Sequence, residues 1–422
     1  MIRAKGHGGP GVAIHDRRRR CTFIAVCVLM PGLSAATLAD TLSSESSVGL
    51  SSEYASNPFL VPSGAHAAES IAAVANLPAT YTSDTQTLDI VPRLRFAETH
   101  GDVALLSDYQ YLDATWHLNS ERNSFTAIAD WHHDSTLYNI FENGALFGRD
   151  LRRREEIGNL AWKRALSERS DLQLAASWDQ VAYSQSGQTS LVNYDYGQGQ
   201  LQYDRTLTEL WQWTGAVGFG RFEQINHSYS SDNRFLQSAL IRPLSERWSI
   251  TAQLGYSYLT AHEQGFICCE IVQEAGGLSG LQYIPISQNA SRGAPTYLLS
   301  LERKGERWTL DLAASRAILP SGLGALVTQD DASIKASIPW TERWTLVATL
   351  HGSQLTEPLQ TLHLGERRYV DIDFSANWLW TEHWTLQLQS SYVLERVASG
   401  VPTSSGVTVY LNLMRQFGHM RL

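Results

Sequence analysis

The feature that most constrains this chain is a short polar turn, set between tryptophans, that recurs along it. Trp340-Thr341-Glu342-Arg343-Trp344 returns almost letter for letter as Trp380-Thr381-Glu382-His383-Trp384. Looser copies are Leu166-Ser167-Glu168-Arg169, Leu244-Ser245-Glu246-Arg247-Trp248 and Lys304-Gly305-Glu306-Arg307-Trp308. Two degenerate copies are Asn119-Ser120-Glu121-Arg122 and Leu207-Thr208-Glu209-Leu210. Their glutamates fall 47, 41, 37, 60, 36 and 40 residues apart, a self-similar spacing that marks one supersecondary unit used repeatedly.

Side chains alternate after each turn. Leu346, Ala348 and Leu350 point one way, and Thr345, Val347 and Thr349 the other; beyond Trp384, Leu386 and Leu388 oppose Thr385, Gln387 and Gln389. A period of two is a strand with one apolar and one polar face. A soluble one-sided sheet would alternate in the same way, and propeller blades repeat at a similar length. A blade, however, holds four short strands, whereas each unit here holds two of about ten residues. Indoles on both sides of a tight turn suit a membrane interface, where they form a girdle at headgroup depth. The chain is therefore expected to be all-β, a transmembrane antiparallel up-and-down barrel. Trp248, Trp308, Trp340, Trp344, Trp380 and Trp384 belong to the expected girdle.

The N-terminus agrees with that expectation. Arg17 to Arg20 precede an apolar run, Cys21 to Leu33, and small residues follow. This pattern predicts a secretory signal over residues 1–39 and a barrel over 40–422. No other apolar run approaches the ~18 residues of a transmembrane helix, so the expected location is a Gram-negative outer membrane. Residues 1–39 hold six basic residues and one acidic residue, so without them the formal charge of −9 becomes −14. An acidic chain argues against a nucleic-acid partner. Cys268 and Cys269 are the cysteines left outside the signal. They can form a strained vicinal disulfide, bridge to another chain or stay reduced; His262 and Glu270 nearby are too few to complete a metal site. No cofactor is expected.

The first strand is expected over Val48 to Tyr54, followed by a loop over 57–83 and a strand placing Asp89, Arg93 and Arg95 on one face. The stretch after Glu98-Thr99-His100-Gly101-Asp102 admits two arrangements. If Val103 to Leu118 is a short hairpin, the barrel has 18 strands. If the Thr99-His100-Gly101 turn lies at the opposite end from the Glu-Arg turns, it has 16, the count taken here. Longer polar loops are expected near 135–152, 184–192, 225–234, 262–293, 319–330 and 356–367, giving the short-turn and long-loop asymmetry of bacterial barrels. Gly406 to Leu413 should close the ring against the first strand.

Three features together resemble one family. Asn57-Pro58-Phe59 follows a Glu-Tyr strand, Arg152-Arg153-Arg154-Glu155-Glu156 forms a charged run, and the [Ser/Thr]-Glu-Arg-Trp turns repeat. Over most of residues 46–418 the chain resembles the outer-membrane barrels designated beta-barrel porin 2. The resemblance implies association with export of exopolysaccharide or capsule, and no catalytic residue is carried over with it. It implies as partners the outer-membrane lipid, a polysaccharide, periplasmic export components and the barrel assembly machinery.

Sixteen or more strands leave an aqueous lumen. Strand phase points Asp89, Arg93, Arg95, Gln253 and Asp311 inward, with Lys335, Asp371, Asp373, Gln387 and Gln389. An Arg on the lipid face at mid-depth would cost ~2–4 kcal/mol. Such groups suit a polar solute, and they equally suit any water-filled lumen. Trp131, Tyr183, Tyr194 and Tyr196 would stack on sugars if they faced inward, while Tyr256 and Tyr258 are in phase with the outer girdle. His132-His133-Asp134-Ser135 contains the triad residue types, but neighbours in one strand cannot converge as a triad does. No Gly-x-Ser-x-Gly elbow is present, and an enzyme is not expected. Passage of a surface polysaccharide or its fragments is the expected function. A general diffusion pore, or a structural or adhesive barrel without a channel, is the alternative.

Overall fold

The computed structural model describes residues 41–102, 105–139, 150–184, 191–273, 279–359, 366–397, 402–417 and 420–421. The expected signal over 1–39 lies outside them. Strands run in chain order as β1 (Thr41–Ser44), β2 (Ser47–Ala55), β3 (Ala68–Asn76), β4 (Ala79–Thr82), β5 (Gln86–Gly101), β6 (Tyr109–Asn119) and β7 (Asn123–Ser135). Then come β8 (Arg152–Ser167), β9 (Ser170–Tyr183), β10 (Tyr194–Thr206), β11 (Gln212–Gln224), β12 (Tyr229–Pro243), β13 (Trp248–Gln273) and β14 (Ser279–Lys304). The last third holds β15 (Thr309–Ser321), β16 (Ala325–Thr341), β17 (Trp344–Thr356), β18 (Arg367–Thr381), β19 (Trp384–Val397), β20 (Ser404–Gln416) and β21 (Met420–Arg421).

Every pairing is antiparallel, and β2 closes the ring on β20 from Ser47↔Gln416 to Ala55↔Thr408. The segments β1, β4 and β21 pair with one another or with β5 at the turn end, where they continue β2, β3 and β20. That leaves a barrel of 18 strands. The count of 16 is corrected, and for a specific reason. Thr99-His100-Gly101 does end β5 opposite the Glu-Arg turns, but residues 68–82, read as loop, form β3 and β4 against β5. Alanine-rich segments carry little hydrophobic contrast, so the alternation of buried Ala68, Ser70 and Ala72 with exposed Glu69 and Ile71 is faint in sequence.

The recurring turn has a local cause. In each well-formed copy the Ser or Thr hydroxyl accepts hydrogen bonds from the amides two and three residues on. Thr341 Oγ1 takes Arg343 and Trp344 at 3.2 and 3.1 Å, and Thr381 Oγ1 takes His383 and Trp384 at 3.3 and 3.2 Å. Ser245 does the same for Arg247 and Trp248. This is the side-chain mimic of a backbone turn that Ser and Thr favour. The residue just before the hydroxyl is a β-bulge in three copies, at Leu166, Trp340 and Trp380. Bulging pushes that side chain outward, and Trp340 and Trp380 are 69% and 52% exposed.

The outer face carries Leu160, Leu236, Leu254, Leu299, Ile372 and other exposed apolar side chains at every second position. Trp131 and Trp178 apart, every tryptophan sits within a few residues of a short turn, and Trp344 stacks on Trp378 at 5.4 Å. Tyr256 and Tyr258, 56% and 45% exposed, lie on the same outer face nearer the loop end. A closed antiparallel barrel with an apolar outer band and an aromatic girdle is an outer-membrane barrel. The regions expected as loops at 225–234 and 262–293 are largely strand: β11 and β12 meet over Ile225 to Ser228, and β13 and β14 continue as one long hairpin. Cys269 is the bulged residue of that hairpin, between Cys268 and Glu270.

Candidate functional site

The site is the lumen. One of its hairpins does not stay in the wall. β14 pairs β15 only as far as Tyr297↔Arg316, and β17 meets β16 only from Thr328↔Thr356 downward. Between those points Ala317 and Ile318 pair with Gln329 and Thr328, Leu319 to Ser321 pair with Ala325 to Val327, and the hairpin leaves the barrel wall. The root is clamped by Arg316, whose Nε and Nη2 donate to Asp330 at 2.6 and 2.8 Å.

The tip crosses to the far wall. Gly322 O accepts from Val192 N at 2.9 Å, and Gly324 O accepts from Gln224 Nε2 at 2.8 Å. Both glycines are needed for the approach. A Cβ on Gly322 would lie 2.4 Å from Tyr183 Oη, and one on Gly324 would lie 2.4 Å from Gln224 Nε2 and Val192 Cγ2; Gly324 also has φ +91°. Beneath the tip, Ile318, Ala325 and Leu326 pack with Val181, Tyr194, Phe222, Tyr229 and Leu259, all buried. These are inward residues of β9 to β13, so the hairpin fills the side of the lumen whose inner face is apolar. The following loop joins it, with Arg292 Nη1 donating to Pro358 O at 2.9 Å and Leu359 packed on the same cluster.

The opposite side is charged, with Arg95, Asp134 and Arg153 buried among their partners and Arg93, Asp113 and His132 reached by water. Arg93 ion-pairs with Asp113, and His132 sits between Asp113 (2.9 Å) and Glu155 (3.1 Å). Arg153 then donates to Glu155 at 3.1 Å and to Asp134 at 3.0 Å, and Tyr111 Oη donates to the same Asp134 at 2.8 Å. The chain of charges spans β5 to β8. Arg95 staples the barrel seam, donating to Ser51 at 2.9 Å, Glu53 at 2.8 Å, Ser70 at 3.0 Å and Ser107 O at 3.0 Å. Nearby, Asn57 Nδ2 donates to Val61 O and Ser405 O, both at 2.9 Å, tying the Asn57-Pro58-Phe59 segment to the start of β20.

Across from the arginines lies an acidic wall. His351 Nε2 meets Asp331 at 3.2 Å, Gln329 Nε2 donates to Asp331 at 3.0 Å, and Ser391 Oγ donates to Asp371 at 2.9 Å. The Asp113, His132, Asp331 and His351 side chains keep 20–26% exposure on the inner face, so water reaches them.

The structure groups the expected lumen residues unevenly. Asp89 accepts from Thr80 Oγ1 at 2.6 Å near the turn end, below Arg93 and Arg95. Asp311 is register partner of Lys335, and Asp371 and Asp373 face His351 and Thr349. Gln387 accepts from Asn412 at 3.4 Å, Gln389 pairs with Tyr410, and Gln253 lies between Ala239 and Leu298. Asp113, His132, Glu155, Arg153, Asp331 and His351 were not among the expected residues. Their signal was available in principle, because each continues the phase of an assigned neighbour across the sheet. Tyr183, Tyr194 and Tyr196 face inward, the first two beneath the hairpin, and Trp131 lies in the outward phase. The triad residue types of 132–135 are not brought together: His132 contacts two carboxylates, and the Ser135 hydroxyl bonds Asp150.

No protein-family model matches the chain, and no curated protein matches it. Among solved structures, the open form of the ferric-catecholate import receptor Fiu from E. coli K12 aligns over 87% of this chain and 81% of its own, at 8% identity and a TM-score of 0.47. The outer membrane protein OpdK from Pseudomonas aeruginosa aligns over 89% and 99%, at 11% identity and a TM-score of 0.44. OccAB2 of Acinetobacter baumannii aligns over 90% and 98%, at 10% identity and a TM-score of 0.44. Likeness at that level leaves the reading of this chain to its own geometry.

Proposed function

We propose that this chain is a passage for hydrophilic solutes, with a route along the charged side of the lumen past a hairpin that fills the apolar side. The observation that carries the reading is the one-sided dock. The hairpin covers the loop-end part of the inner face of β9 to β13, while Asp113 and His132 on β6 and β7 and Asp331 and His351 on β16 and β17 stay in contact with water. Eighteen strands are enough for an aqueous bore.

The cargo we assign is a surface polysaccharide or its fragments. Two supports favour it: the turn-motif resemblance, and a polar ladder on β10 that runs from the docked hairpin toward the turn end. There Tyr196 Oη donates to Gln198 at 2.8 Å, Gln200 to Gln202 at 3.4 Å, and Gln202 to Asp204 at 3.0 Å. Such a row of amides exchanges hydrogen bonds with sugar hydroxyls, with Asp204 as its one carboxylate. Export partners in the periplasm belong to this reading. General diffusion of small polar solutes is the second reading. It is favoured by Tyr183 and Tyr194, whose rings are taken up under the hairpin and are not available to stack on sugar.

Single-channel conductance of the refolded barrel in planar bilayers, with and without neutral and acidic oligosaccharides, tests both. Discrete steps blocked by oligosaccharide are expected. Steps indifferent to sugar leave only the diffusion pore. A folded, heat-modifiable barrel without conductance refutes the passage itself.

A further inference from the structure

The two rims of the outer face differ in how they treat arginine. At the loop end several outward arginines have acidic partners on the same surface. Arg221 lies 3.6 Å from Glu223 and 3.9 Å from Asp232, and Arg154 ion-pairs with Glu156. At the turn end, Arg164, Arg205, Arg242, Arg303 and Arg415 follow exposed outer leucines in phase: Leu160, Leu201, Leu240, Leu299 and Leu411. None of these five has a carboxylate at ion-pair distance among the described residues.

Three of them instead lie over aromatic rings of the girdle. The Arg242 guanidinium is 4.8 Å from the Trp211 centroid, that of Arg303 is 3.3 Å from Trp308 and 5.8 Å from Trp248, and that of Arg415 is 5.8 Å from Trp384. Cation–π contact holds a guanidinium in place but gives its N–H groups no acceptor. Arg242 Nε and Arg303 Nη1 are shielded from solvent and have no hydrogen-bond partner among the described residues, while each half-buried guanidinium keeps part of its surface open at the rim. Trp248 is register partner of Arg303, and Arg242 pairs with Ile250 one step further along β13. Arg242, Trp248 and Arg303 thus form one patch on three adjacent strands, at the depth where indoles meet headgroups.

We infer that this patch binds the phosphodiester of an anionic glycerophospholipid in the leaflet beside the turns. The charge is complementary, and the fork of a guanidinium matches two phosphate oxygens. The ring beneath each arginine fixes it so that little side-chain freedom is lost on binding. At the loop rim Arg154 and Arg221 are already met by the chain's own carboxylates, so the turn-end patch is the stronger anion site of the two.

The test is retention of lipid by the barrel in nanodiscs of phosphatidylcholine containing a minor share of phosphatidylglycerol, followed by native mass spectrometry. The wild type should keep phosphatidylglycerol several-fold over its share in the disc. R242Q/R303Q should lose most of that enrichment, and R154Q/R221Q at the other rim should keep it. Heat-modifiable migration on gels checks that each variant is folded. If the double variant does not fold, R303Q and R303K are compared: R303K should retain part of the enrichment and R303Q less. Equal retention of both lipids by the wild type, or unchanged enrichment in a folded R242Q/R303Q or R303Q barrel, overturns the inference.

Discussion

At the height of the hairpin the two sides of the lumen are built by the same strand alternation and differ in chemistry. On one side the inward positions are Val181, Tyr194, Phe222, Tyr229 and Leu259. On the other they are Arg93, Asp113, His132, Asp331, His351 and Asp371. Apolar surface facing a water-filled bore forgoes about 25 cal/mol for every Å² left wet, so the first side is stable only with a cover. The hairpin supplies that cover with its own apolar residues and two backbone carbonyls. The polarity of a barrel's inner face thus tells where chain folds in and where solvent stays.

The most drastic way to break the contrast is to replace residues 317–327 by a short Gly-Ser turn. Conductance should rise several-fold, because the apolar side then opens to water, and unfolding in urea should come earlier. Unchanged conductance would mean that the hairpin does not limit the route. A gentler version keeps the hairpin and removes its seat. Leu259→Ala should cost about 2–4 kcal/mol in urea unfolding from lipid vesicles, as fully buried leucines do. Val347→Ala, on the wet inner face of β17, should cost under about 1 kcal/mol. Similar losses at the two positions would show that both sides are packed alike.

Much of this architecture is legible in the residues themselves, and the reasons are local. The Ser/Thr hydroxyl that accepts two turn amides, and the bulged residue before it, repeat often enough to locate the short turns. The outward phase of Trp344 or Leu388 follows from alternation alone. The inward hairpin was not anticipated, because Pro320-Ser321-Gly322-Leu323-Gly324 looks like any tight outer loop. Its destination depends on Val192 and Gln224, about a hundred residues away or more in sequence and brought close only once the ring has closed. A signal did exist: a loop expected at 319–330 to meet water contains Leu319, Leu323, Ala325, Leu326 and Val327. The charge network was half legible. Arg93 and Asp371 can be placed by phase, but that His132 joins Asp113 to Glu155 depends on the register of three strands, which periodicity does not determine.

Gly324→Ala tests the dock at a single atom. With φ at +91° and a Cβ that would meet Gln224 and Val192 at 2.4 Å, the tip must lift or twist. The expected cost is about 1–2 kcal/mol, with added flicker in the open-channel current and an average conductance close to wild type. Quiet traces would indicate that the tip can shift without leaving its dock.

The smallest effect on stability, and the most direct probe of the wet side, comes from Asp371→Asn with Asp373→Asn. Arg93, Arg95 and Arg153 are each matched to carboxylates, whereas Asp371 and Asp373 have no Lys or Arg at ion-pair distance among the described residues. These two carboxylates therefore add unpaired negative charge to the route, and charge lining a pore biases which ions enter. Asparagine retains an oxygen for the Ser391 hydroxyl, so stability should stay within about 0.5 kcal/mol of the wild type. The wild-type barrel should prefer cations in a salt gradient, and the double variant should show a reversal potential closer to zero. If the reversal potential does not move, ions do not travel past β18, and the charged side is no more the route than the covered one.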